Sequence, residues 1–159
     1  MIKIIILFML GLFISNSNNA QGQKYVFVEA GGSSIFAAVN FDMRFKKSAR
    51  EGFGLRAGVG NTLGVFDSEV VKDVVIFPAG VNYVYGSKKS SLVVGLNTSI
   101  ALMKHNNGSE SPVIISPEIG YRYRPYEKGI AFHVSYVPLF NTADGTMPVW
   151  LGLGLGYSW

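Results

Sequence analysis

The chain closes on Val149-Trp150-Leu151-Gly152-Leu153-Gly154-Leu155-Gly156-Tyr157-Ser158-Trp159. From Leu151 onward the odd positions are apolar or aromatic and the even ones are Gly or Ser. A period of two belongs to a strand, whose successive side chains point to opposite faces. One face here is wholly apolar and the other has almost no side chains. Such a strand, with an aromatic end, suits a closed membrane β-barrel. There every backbone group must be paired, and aromatic rings favour the lipid interface. The expectation is that this stretch is the last strand and pairs with the first.

Composition supports that reading. The 159 residues suffice for one domain; 48% are hydrophobic, 13% aromatic and only 15% charged. Past the N-terminus no apolar run reaches the ~18 residues of a helical span. The apolarity is instead spread over alternating segments. Nineteen glycines favour close-packed strands over helices. The net charge of +4 comes from scattered Lys and Arg with no basic stripe, so no nucleic-acid partner is expected. The absence of Cys excludes disulfides, Cys-ligated metals and a lipidated Cys. No cofactor or metal is expected.

The N-terminus reads as an address. Met1-Ile2-Lys3 is a short positive start, residues 4–14 are an apolar core, and 15–20 are small and polar. This is the pattern of a cleavable signal peptide over 1–20, leaving 21–159 as the barrel domain.

Eight candidate strands follow: 24–30, 34–45, 52–61, 73–85, 90–103, 113–124, 130–140 and the closing stretch. The turns at 46–50, 86–89 and 124–129 fall at one end, and the longer connections 62–72, 104–111 and 141–146 at the other. Short periplasmic turns opposite longer outer loops are the outer-membrane pattern. The expected fold class is all-β: an eight-stranded antiparallel up-and-down transmembrane β-barrel. A periplasmic aromatic belt is expected from Tyr25, Tyr83, Tyr85, Tyr121, Tyr123, Tyr157 and Trp159, with Phe45, Phe53 and Phe132 beside it. Phe77, Phe140 and Trp150 would mark the outer ends.

Alternation alone does not say which face points outward. A secreted lipocalin-like carrier also alternates, with its apolar face inward. The less apolar face decides. In water it should be rich in Lys and Glu; here it is Gly, Ser, Ala and Asn with a few charges. Small residues and sparse opposite charges suit a narrow filled interior. A lumen charge network of Glu29, Asp42, Arg44, Arg56, Glu118 and Arg122 is expected, since buried charges require partners.

Other chemistry is weaker. The carboxylates Glu29, Asp42 and Glu118 read as counter-ions of the arginines more readily than as an acid–base set. His133 and Ser135 have the His-x-Ser spacing of outer-membrane lipid A deacylases, but strand parity aims both at the lumen, away from lipid. His105 has no second metal-ligand cluster near it in sequence. Gly152, Gly154 and Gly156 lie on one strand face with no helix after them, so they form no dinucleotide loop.

Pro117-Glu118-Ile119-Gly120-Tyr121-Arg122-Tyr123-Arg124-Pro125 resembles a stretch of small, mostly uncharacterised outer-membrane β-barrel proteins of Bacteroidota. Tyr136-Val137-Pro138-Leu139-Phe140, the closing strand, Gly52 to Gly60, and Glu29-Ala30-Gly31-Gly32 also fit that family. Trp159 stands where such proteins often have Phe. The resemblance spans the mature chain and implies an OmpX-like barrel in a Gram-negative outer membrane, with no catalytic residues to carry over. The expected partners are outer-membrane lipid and, during insertion, the barrel-assembly machinery. The expected role is structural or surface-interacting and not enzymatic. A lipid-modifying enzyme, a narrow channel and a soluble carrier are the alternatives.

Overall fold

A computed structural model describes residues 23–46, 50–61, 71–105, 108–141 and 145–159. The expected signal peptide lies outside the described residues. Among these residues eleven strand segments occur: β1 (Lys24–Gly31), β2 (Ala37–Arg44), β3 (Gly52–Asn61), β4 (Val71–Tyr85), β5 (Ser90–His105), β6 (Gly108–Glu110), β7 (Val113–Tyr123), β8 (Gly129–Tyr136), β9 (Leu139–Asn141), β10 (Gly145–Met147) and β11 (Leu151–Ser158).

They make eight continuous staves. Met103 pairs with Glu110 and Ile100 with Val113 at one constant offset, so β6 and β7 are one strand interrupted at Pro112. Ile119 pairs with Tyr136 and Ile115 with Phe140, so β8 and β9 are one strand interrupted at Pro138. β10 pairs with β9 as β11 pairs with β8, with Pro148 in the gap between β10 and β11. Each interruption holds a proline, which lacks the N–H that the ladder needs.

Every neighbouring pair is antiparallel, and the ladder closes on itself. The closing stretch pairs with β8, Leu151 opposite Tyr136 through Ser158 opposite Gly129. On its other side it pairs with β1, Tyr25 opposite Ser158 through Gly31 opposite Gly152. Lys24 and Trp159 exchange backbone hydrogen bonds of 2.8 and 3.0 Å just beyond. No sheet edge is left at this seam.

The faces separate sharply. Leu151, Leu153, Leu155, Tyr157 and Trp159 are exposed on the outside, as are Val39, Leu55, Val81, Leu96, Ile119 and Val134 on other strands. The inward residues are mostly polar and buried. The outward set is far more apolar than the interior, the inverse of a soluble barrel.

Four expectations need correction. Tyr25 does not join the aromatic belt: it is buried in the lumen, 2% exposed. It sits four residues before the buried Glu29, and strand alternation puts both on the same face. Trp150 is turned inward, its indole N–H donating to the Gly32 carbonyl at 3.2 Å. The second strand begins at Ala37, not at 34, because residues 31–36 fold into the barrel mouth. The expected polar loop at 104–111 is largely a hairpin, β5 running to His105 and β6 returning from Gly108.

Candidate functional site

The lumen is filled by one connected set of polar side chains. Strands β1, β2, β3 and β7 each aim one or more charged groups inward at alternate positions. Glu29, Asp42, Arg44, Arg56, Glu118 and Arg122 are all buried, and the structure brings all six together. Arg56 donates two hydrogen bonds to Glu118, at 2.9 and 3.2 Å. Its guanidinium also lies 3.8 Å from Glu29 and 3.7 Å from Asp42. Asp42 is held by Arg44, by Arg122 at 3.2 Å and by the Asn82 amide at 2.7 Å. Asn97 donates to Glu118 at 3.0 Å, and Asn40 to Glu29 at 3.1 Å. Three carboxylates thus face three guanidiniums. The balance matters because an unpaired buried charge costs several kcal/mol, of order 3–5.

Aromatic rings wall this network. Tyr25 and Phe27 stack with centroids 4.4 Å apart. The Arg122 guanidinium lies 5.1 Å over Tyr25, and that of Arg56 5.1 Å over Phe27. His133 meets Phe27 edge-on at 4.7 Å, and its Nε2 is 3.1 Å from Glu29. Glycine makes the room. Arg44 faces Gly54, Asn40 faces Gly58, Asn97 faces Gly80 and His133 faces Gly154 across the ladder. A Cβ at Gly154 would overlap the His133 ring, and one at Gly58 the Asn40 amide.

Described residues pack across the lumen at both ends. At the turn end Arg50 donates to the carbonyls of Ser87 (3.0 Å), Arg124 (3.3 Å), Pro125 (2.7 Å) and Tyr126 (2.8 Å). Arg124 reciprocates, bonding the Arg50 carbonyl, Gln23, the Gly86 carbonyl (2.9 Å) and Ser91 (2.7 Å). The two side chains tie three connections into one lid. Burial, reinforced by the guanidiniums of Arg122, Arg50 and Arg44, pushes the pKa of Arg124 down to about 9. The sequence places Arg124 at the end of the sixth strand and the start of the turn after it. Its even-numbered register with Glu118 and Arg122 is the signal for its inward aim.

At the opposite end the first connection is an inward plug. Gly32–Ser34 form a single 3₁₀ turn, and all three residues are buried. Ser99 donates to the Ser33 carbonyl at 2.7 Å. Ile35 packs between two apolar clusters, one of Val74, Ile76 and Ala101, the other of Ile114, Val137 and Leu139. Ile35 has φ 72° and ψ −54°, and the Phe36 N–H bonds the Ser34 carbonyl at 2.9 Å. This is a γ-turn of the rare, strained hand.

On the outside, Tyr83, Tyr85, Tyr121, Tyr157 and Trp159 are exposed, and Tyr123 is half-buried. Ser135 shares the lumen face with His133 and is buried. Among the described residues no group of three or more His, Cys, Asp or Glu is placed to hold a metal.

No protein-family model matches the chain, and no curated protein matches it. Solved structures do. The N-terminal β-barrel domain of Pseudomonas aeruginosa OprF matches with a TM-score of 0.60 at 13% identity, over 89% of this chain and 98% of that one. Ail, the attachment invasion locus protein of Yersinia pestis, matches at 0.43 and 14%, over 87% and 99%. Neisserial surface protein A matches at 0.45 and 11%, over 86% and 92%. The likeness to the OprF domain shows the fold: a closed eight-stranded antiparallel barrel.

Proposed function

We propose that the protein is an integral barrel of a Gram-negative outer membrane, with a structural or surface-interaction role and a lumen that carries no solute. The membrane part rests on the apolar outer face and its aromatic rim, which fit lipid and not water. The role rests on one observation: a lumen occupied along its length by the Arg50–Arg124 lid, the charge network and the Ile35 plug. A barrel so filled acts through its surface. Outer-membrane lipid surrounds it, and the barrel-assembly machinery inserts it.

The lipid-modifying alternative loses ground on geometry. His133 and Ser135 are each 2% exposed inside the barrel, and His133 is held by Glu29. An acyl chain in the bilayer has no route to them. Two experiments test the proposal. The mature protein is expected in the outer-membrane fraction, and reconstituted in planar bilayers it is expected to show no large-solute conductance. Recovery in the soluble periplasm would remove the membrane assignment. Steady conductance of a large solute would remove the filled-lumen assignment.

A further inference from the structure

The turn-end rim of the barrel is rich in lysine. At the turn end the described exposed or half-buried side chains include Lys24, Lys46, Lys88, Lys89 and Lys128, against Glu51 and Glu127.

The turn-end lysines lie just past outward aromatics. Lys46 follows Phe45, Lys88 and Lys89 follow Tyr85 across a Gly-Ser turn, and Lys24 pairs with Trp159 through the backbone. Phe45 and Tyr85 are exposed. Tyr126 is 60% exposed, with Lys89 5.4 Å and Arg50 5.5 Å from its ring centroid. Aromatic rings settle at the depth of lipid headgroups, so ammonium groups one to four residues beyond them stand at the phosphates.

We infer that the turn-end rim is a binding surface for anionic phospholipid headgroups of the leaflet around it. The lysines stand on separate connections around the circumference and do not line one groove. That spacing suits several small phosphodiesters and not a single polymer strand. Each lysine near such a surface contributes about a fivefold factor in lipid affinity. The inference rests on the membrane reading above.

The test is native mass spectrometry of the mature protein, exchanged with equimolar phosphatidylglycerol and phosphatidylethanolamine. The expected result is severalfold greater retention of phosphatidylglycerol, weakening with added salt. The variant Lys46→Gln/Lys88→Gln/Lys89→Gln/Lys128→Gln is expected to lose the preference while keeping the gel-mobility shift of a folded barrel. If the fourfold variant does not fold, the pairs Lys46→Gln/Lys88→Gln and Lys89→Gln/Lys128→Gln are read separately, each losing part of the preference. Equal retention of the two lipids by the unaltered protein overturns the inference, as does a preference that survives the substitutions. Capture of peptidoglycan fragments by the same lysines, with no lipid preference, also overturns it. Retention of neither lipid, with no incorporation into vesicles, overturns the membrane reading beneath it.

Discussion

Arg56 is the residue on which the interior turns. It joins Glu118 through two hydrogen bonds and stands within 4 Å of Glu29 and Asp42. Its replacement leaves three carboxylates facing two guanidiniums in a buried space. Arg56→Met is therefore expected to cost about 3–5 kcal/mol, read as a lowered urea midpoint in lipid vesicles. Arg56→Met combined with Glu118→Leu restores the balance at two against two and should cost less than Arg56→Met alone. A double variant as unstable as the sum of the two singles would show that the charges do not act as a network. At this scale the sequence was informative, because opposite charges on the small-residue faces of different strands had to meet. Tyr25 departs from expectation for a local reason. Its aromatic character suggests the belt, but the alternation that buries Glu29 also buries Tyr25.

The element that sequence reading misjudged most is the first connection. The expected strands 24–30 and 34–45 leave only a tight turn between them and make Ile35 a strand residue. Instead the segment turns into the mouth, and Ile35 fills the gap between two apolar clusters. Local alternation does not register a residue whose partners are some 40 to 100 positions away. The strained turn gives an ordering that distinguishes this account. Ile35→Ala loses the partly buried side chain and keeps the positive φ; Ile35→Gly loses nearly the same contacts and releases the strain. The glycine variant is expected to be the more stable by about 1 kcal/mol, the reverse of the usual preference. Comparison of the two urea midpoints in the same vesicles checks this; an alanine variant equal to or better than glycine would mean that the turn is not held at positive φ.

For the molecule as a whole, the outer face sets the solvent it requires. Leu153 lies mid-strand and Trp159 at the aromatic rim. In a bilayer Leu153→Arg is expected to cost about 2–4 kcal/mol, and Trp159→Arg about 1 kcal/mol or less. Were this face in water, both would fall within about 0.5 kcal/mol of the parent. Folding titrations in vesicles measure the difference directly. The same face explains why the interior tolerates so many charges. With lipid outside, apolar side chains are best placed outward, and the lumen is left to groups that satisfy one another.

The sequence by itself determined the strand period, the antiparallel order, the seam between the closing stretch and the first strand, and six of the charges that point inward. These follow from alternation and composition, which are local, and from the cost of an unpaired charge, which is general. Only the tertiary structure decided that prolines split three staves, that Arg50 and Arg124 lock three turns together, that Tyr25 and Trp150 face inward, and that the first connection plugs the mouth. Each of these depends on contacts between residues far apart in the chain. The closing strand shows both sides. Its period assigned Leu151 to Trp159 to the outside, but only the packed barrel shows why Gly154 has no side chain: the His133 ring occupies the place.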